Sequence, residues 1–196
     1  PIRLAYRWYI RTTSRTNKHG ISYLTTPRTV NGVERPALHQ LIDRAINPDT
    51  LDYSPAYSTF HGDLHFDNVI YNDHTDHFTY IDWRDSFGGS TAAGDLYYDL
   101  GKLYAGTLVP FELLKDDRNV TLSEGSTVVT YHYEIPDSLR EFKRTYEDWL
   151  AEHNYDLRRV KLVAALAFLN IAPLHGAVWG KVLLFRGTQL LHEIFG

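Results

Sequence analysis

His61, Asp63 and Asn68 stand in the order H-x-D-x-x-x-x-N, and Asp82 follows fourteen residues later at the end of an apolar run. These residue types at this spacing suit phosphoryl transfer. That reaction needs a carboxylate to orient the attacking hydroxyl and accept its proton. It also needs hard oxygen ligands for the Mg²⁺ that bridges the nucleotide phosphates. Asp63 can supply the first, and Asn68 and Asp82 the second. A neutral amide beside one carboxylate holds the metal without piling negative charge against the nucleotide. Taken singly, Asp63 and Asn68 also read as turn residues and Asp82 as a cap. Their joint order favours a site. A metal-dependent hydrolase on His61, Asp63, His65 and Asp67 is the alternative, because alternating residues of an extended strand share a face. Gly62 and Asn68 suit a loop better, and zinc favours more histidines in a closed set.

Two segments must come together to assemble these groups. "NVIYN" and "HFTYIDW" read as short strands around "DHTD", a hairpin spanning about residues 68 to 82. Residues 61 to 68 then form a loop at its mouth, with Asp82 at its exit. Earlier in the chain, Arg3, Arg7, Arg11 and Arg15 recur every four residues and read as a solvated helix face. Asn31-Gly32 marks a turn. Pro36 opens a helix whose Leu38, Leu41, Ile42 and Ala45 share one side. Residues 47 to 55 read as a loop. After the hairpin, "GDLYYDLGKLYAGTL" is helical, with Asp95 as a first-turn acid. A second hairpin turns at Glu124-Gly125-Ser126. Helices then start at Pro136, at Asp156 as N-cap, and at Gly176, the last running to Phe195 and loosened near Gly187. No repeat or linker divides the chain. The expectation is one domain over residues 1 to 196, α+β and mainly helical.

The 196 residues are 43% hydrophobic and 22% charged, with a formal charge of −4. That balance argues against a broad nucleic-acid surface. The chain has no cysteine, which excludes disulfides and thiolate chemistry. "LVAALAFL" is far short of the ~20 residues that cross a bilayer, so no membrane span is expected. With no leader sequence evident, the expected location is cytoplasmic, and the sequon at Asn119 is read as a chance match.

"HGDLHFDN", "IDW" and "GDLYYDLGKL" together resemble the aminoglycoside phosphotransferase and choline kinase-like superfamily. Its members carry HGD-x-x-x-x-N, an Asp ending a strand, and G-D-x-x-x-D-L, matched here by Gly94, Asp95, Asp99 and Leu100. The motifs cover residues 60 to 104. The resemblance implies that Asp63 is the catalytic base, that Asn68 and Asp82 hold Mg²⁺, and that His61 and Asp99 brace the catalytic loop. It implies a kinase using ATP or another nucleoside triphosphate on a hydroxyl of a sugar, aminoglycoside or choline-like alcohol. A sugar is the favoured acceptor. A pseudokinase-like binding module is the alternative on the same fold. The bland reading of Asp99 is a surface acid on an amphipathic helix, and that of His65 is loop packing. Trp83 stands where the family often has Phe. Arg84 has two readings, a phosphate contact or a pair with Asp85. The sequence carries neither a Gly-rich loop nor a V-A-I-K strand. The expectation is therefore the C-terminal lobe of a protein-kinase-like fold, with a nucleotide-binding N-lobe of the same protein as its partner and no activity alone. The absence of Met, including at position 1, agrees with a piece of something longer.

Overall fold

Leu38, Leu41, Ile42 and Ala45 line one side of a helix and are all buried, as their spacing requires. The computed structural model describes residues 22–47, 49, 54 and 56–196. The arginine stripe from Arg3 to Arg15 lies outside them, as does most of the 47–55 loop. Six helices carry the described fold: α1 (Ser22–Thr25), α2 (Leu38–Ile46), α3 (Leu96–Leu108), α4 (Asp137–Glu152), α5 (Leu157–Ile171) and α6 (Ala177–Phe195). Eight short strands accompany them, and the architecture is α+β and mainly helical.

The core lies where α3, α5 and α6 meet. Tyr104, Phe168, Trp179, Leu183 and Leu191 are almost wholly removed from water there. Two glycines set how closely these helices approach. A Cβ on Gly101 of α3 would lie 2.4 Å from Val163 Cβ, and one on Gly187 of α6 would lie 2.9 Å from Leu169 Cδ2. The last helix runs unbroken through Gly187. Close packing against α5 outweighs the intrinsic helix weakness of glycine there, which corrects the expected loosening. Gly101→Ala is accordingly expected to cost about 2 kcal/mol through overpacking. Denaturant melts should show it as a lowered midpoint at unchanged slope. Asp156 caps α5 as its sequence position foretells, accepting from the Arg158 N–H at 2.8 Å.

The strands form three small sheets. β1 (Arg28–Val30) and β2 (Val33–Arg35) turn on Asn31 and Gly32, both at positive φ, in a two-residue hairpin. β7 (Thr121–Glu124) and β8 (Val128–His132) form the hairpin expected at Gly125. A parallel pairing of β1 with β8 joins the two hairpins into one sheet, in the order β2-β1-β8-β7. Val30 and Val129 seal the join against Phe185 of α6. The sequence signalled only the turn at Asn31-Gly32, because strands of three residues are too short to show a period. β3 (Tyr57–Ser58) pairs with β6 (Gly94–Asp95) just before α3. β4 (Val69–Asn72) and β5 (His77–Tyr80) make the remaining hairpin, close to the expected span. Ile70, Tyr71, Phe78 and Tyr80 on it are all about half exposed. No helix among the described residues is long and apolar enough to cross a membrane.

Candidate functional site

The loop ahead of β4 is held from beneath by α3. Asp95 caps that helix by accepting from the Tyr97 N–H at 3.1 Å, and its carboxylate also meets Arg159 of α5 at 2.8 Å. One turn further on, Asp99 is only 4% exposed. Its two oxygens accept the backbone N–H groups of His61 at 2.7 Å and Gly62 at 2.9 Å. Asp99 is therefore no surface acid. It is the anchor of the loop, and its buried carboxylate satisfies two amides that would otherwise be unpaired. Gly62 sits at φ +79°, and a Cβ there would approach Arg84 Cβ to 2.7 Å, so the turn requires glycine on two grounds.

The exit of β5 is laced to the same loop. The Ile81 N–H donates to the Asn68 carbonyl at 3.0 Å, and the Arg84 N–H donates to the His61 carbonyl at 2.9 Å. Asp82 lies between these two bonds, at φ +59°. Such a conformation is uncommon for a non-glycine residue, though Asp tolerates it better than most. Asp82 is exposed and makes no hydrogen bond or ion pair among the described residues. Asn68 closes the short turn Phe66–Asn68 and is buried. Its amide nitrogen donates to the Asp63 carbonyl at 2.9 Å. Its amide oxygen is left without a hydrogen-bond partner among the described residues.

His61 is buried, and its ring stacks on Trp83 with centroids 4.8 Å apart. Its Nδ1 accepts the Asp63 N–H at 3.3 Å, which puts the proton of the neutral ring on Nε2. That Nε2 is buried without a hydrogen-bond partner among the described residues. His65 packs its ring on Phe111 at 5.1 Å. Burial, and next the nearby Lys102 charge, depress its pKa, so the ring stays neutral at physiological pH. His61, Asp63, His65 and Asp67 do not gather into a ligand set, and no group of three or more such residues does so among the described residues. The turn at Gly62 and the short helix at Phe66–Asn68 break the extended run that the hydrolase alternative needs.

Asp63 carries the densest charge. Lys102 of α3 meets its Oδ1 at 2.8 Å, and Arg84 hydrogen-bonds its Oδ2. Arg84 thus pairs with Asp63 and not with its neighbour Asp85, because the Arg84–His61 backbone bond aims the side chain back over the loop. Lys102 escaped the sequence reading. Its signal was a lysine three residues after Asp99, on the same face of a helix that is otherwise apolar there.

Burial pushes the Asp63 carboxyl upward, but the hydrogen bonds and charges of Lys102 and Arg84 outweigh it and hold it below the usual carboxylate range. A depressed folded-state pKa adds stability above the unfolded value of about 3.9 and loses it as pH falls through the folded value. Lys102 and Asp63 are each 14% exposed, whereas Arg84 is 56% exposed. Lys102→Met is therefore expected to cost about 2 kcal/mol at pH 7, and Arg84→Gln under about 1 kcal/mol. Thermal melts from pH 7 to pH 3 should show both gaps to wild type closing at the acid end. Equal losses at pH 7 would contradict the assigned order.

The chain matches no family model, no curated protein and no solved structure.

Proposed function

We propose that this chain is the catalytic lobe of a small-molecule kinase, related in fold to the C-terminal lobe of protein kinases, that transfers phosphate from ATP to an alcohol. One observation carries the reading. Asp63, Asn68 and Asp82 sit on two segments locked side by side, by Asp99 from beneath and by the Ile81–Asn68 and Arg84–His61 backbone bonds along their length. In this reading Asp63 orients the acceptor hydroxyl and takes its proton. A loose phosphoryl-transfer transition state asks more for orientation than for basicity, so a carboxylate with a depressed pKa suits the role. Lys102 fixes one Asp63 oxygen, and the other becomes free when the exposed Arg84 moves aside.

The residues present also suit a hard cation. The Asn68 amide nitrogen is committed to the Asp63 carbonyl, which leaves its oxygen as a metal ligand, and the exposed Asp82 carboxylate has no hydrogen-bond or ion-pair partner among the described residues. These two oxygens would hold Mg²⁺, with water and phosphate completing the set, and the ion would neutralise charge on the nucleotide phosphates. Tyr71, Phe78 and Tyr80, half-exposed and on one face of the β4–β5 hairpin, offer a surface on which a nucleotide-holding lobe would pack.

A second reading is a nucleotide-binding module without transfer. The occupation of both Asp63 oxygens by Lys102 and Arg84 favours it. The whole gene product, incubated with Mg-ATP and separate panels of sugars, aminoglycosides and choline-like alcohols, decides between the two. ADP release that depends on one acceptor supports the kinase. Nucleotide binding with no phosphorylated acceptor supports the module, and absence of both sinks the two readings together.

A further inference from the structure

Arg28 and Arg35 face each other directly across the β1–β2 pair. Like charges in that register are destabilising unless something lies between them. Arg35 is only 9% exposed, yet neither arginine forms a salt bridge with a carboxylate among the described residues. Arg35 donates through Nη1 to the carbonyls of Val30 and Val33. Arg28 donates through Nη1 to the Ser126 carbonyl at 2.9 Å, and its guanidinium lies 4.7 Å over the Tyr23 ring. In each case the opposite edge of the guanidinium is left over. Both Nε atoms are buried without a hydrogen-bond partner, and neither Nη2 has one among the described residues. Each Nε is shut away from solvent, so Nη2 is the donor of each guanidinium that a ligand can reach, and a charge-assisted bond from it to an oxyanion is a strong one.

The two arginines line a cavity of about 540 Å³, open to solvent, together with Thr29, Thr127, Pro36 and Glu34, and on their inner side a far smaller one of about 10 Å³ with Tyr23, Val30 and Phe185. The larger volume falls in the range of small-molecule sites. Both chain segments are fixed. The Asn31-Gly32 turn sets β2 against β1, and the Thr29 N–H donates to the Thr127 carbonyl at 2.9 Å. A nearly buried guanidinium with no carboxylate in ion-pair contact among the described residues is costly. A bound anion removes both that cost and the cross-strand repulsion.

We infer that this cavity, on the β1–β2 rim of the four-stranded sheet, binds the phosphate group of a small phosphate-bearing molecule through Arg28 and Arg35. Two guanidinium charges, each with an accessible Nη2, match a phosphate dianion, whereas a carboxylate carries charge for only one of them. Glu34 is the one opposing charge on the lining. It is exposed and limits the affinity. The cavity shares no lining residue with the Asp63 loop, so it stands whether or not that loop catalyses phosphoryl transfer.

The test follows the arginine Nε–H signals by ¹⁵N–¹H NMR while the full chain is titrated with inorganic phosphate, glycerol phosphate or acetate. The Arg28 and Arg35 signals are expected to shift saturably with both phosphates and far less with acetate. Tighter binding of glycerol phosphate identifies an organic ester as the occupant, and equal binding identifies free phosphate. Arg28→Gln, with its helical circular dichroism unchanged, is expected to weaken phosphate about tenfold or more, since charge-assisted bonds are lost. Glu34→Gln, at an exposed position that leaves the fold intact, is expected to tighten it by a few-fold. Shifts confined to Arg84, an equal response to acetate, or unchanged affinity in both variants would each overturn the assignment.

Discussion

Asp99→Ala is expected to lower the melting temperature by roughly 10 °C and to strip protection from the His61 and Gly62 amides. Asp99 is nearly inaccessible, and both its oxygens accept backbone N–H groups of the loop. Removing the carboxylate orphans two buried donors at about 1–3 kcal/mol each, or about 4 kcal/mol together. A chain of this size loses roughly 2–4 °C per kcal/mol. Asp99→Asn keeps the shape and one acceptor but turns an amide NH₂ towards an N–H, so an intermediate loss is expected. Calorimetry and amide exchange on the two variants measure both effects. An Asp99→Ala protein that melts like wild type would show that the loop is held from elsewhere.

Asp63→Asn is expected to reduce phosphotransfer by about 10²–10⁴-fold in the whole gene product, the range associated with losing a positioned base. Nucleotide affinity should stay nearly unchanged, because the base acts chiefly in the transition state. The substitution also leaves Lys102 facing a neutral amide at a site only 14% exposed, so part of the loss comes from a loosened loop. Comparison with Lys102→Met separates the two contributions. If Lys102→Met and Asp63→Asn lower turnover equally, Asp63 serves to hold α3 and not to meet the acceptor. If Asp63→Asn retains full turnover on the true acceptor, the assignment of the base is wrong.

The longer helices and the β4–β5 and β7–β8 hairpins were legible because their signals lie within one short window. Leu38, Leu41, Ile42 and Ala45 show the helical period within nine residues, and Asp156 sits at the boundary it caps. The β4–β5 and β7–β8 hairpins carry their turn residues between two runs of strand formers. Contacts between distant residues were hidden. Nothing in three residues around Thr29 announces a parallel partner at Val128. Gly187 looked like a helix breaker because its reason, the Leu169 side chain, lies on another helix. The polar order of Asp63, Asn68 and Asp82 could be read in advance, since it is a matter of spacing. The pairing of Asp63 with Lys102 and Arg84 could not, because it depends on which face of α3 turns to the loop and on how residue 84 is tethered.

The seam between β1 and β8 bears on the order in which the chain assembles. It brings Arg28 to the carbonyl of Ser126, 98 residues away along the chain. Each hairpin can close by itself within microseconds, whereas uniting them requires a long loop to be drawn in first. Only two residue pairs make the join, so little is gained until Phe185 is already in place beside Val30 and Val129. The seam is therefore expected to join late, after α6 has docked, which pulse-labelled amide exchange at Thr29 and Asn31 would show as late protection. The same economy of contacts makes low native-state exchange protection the expected result along the β1–β8 join, relative to the helical core.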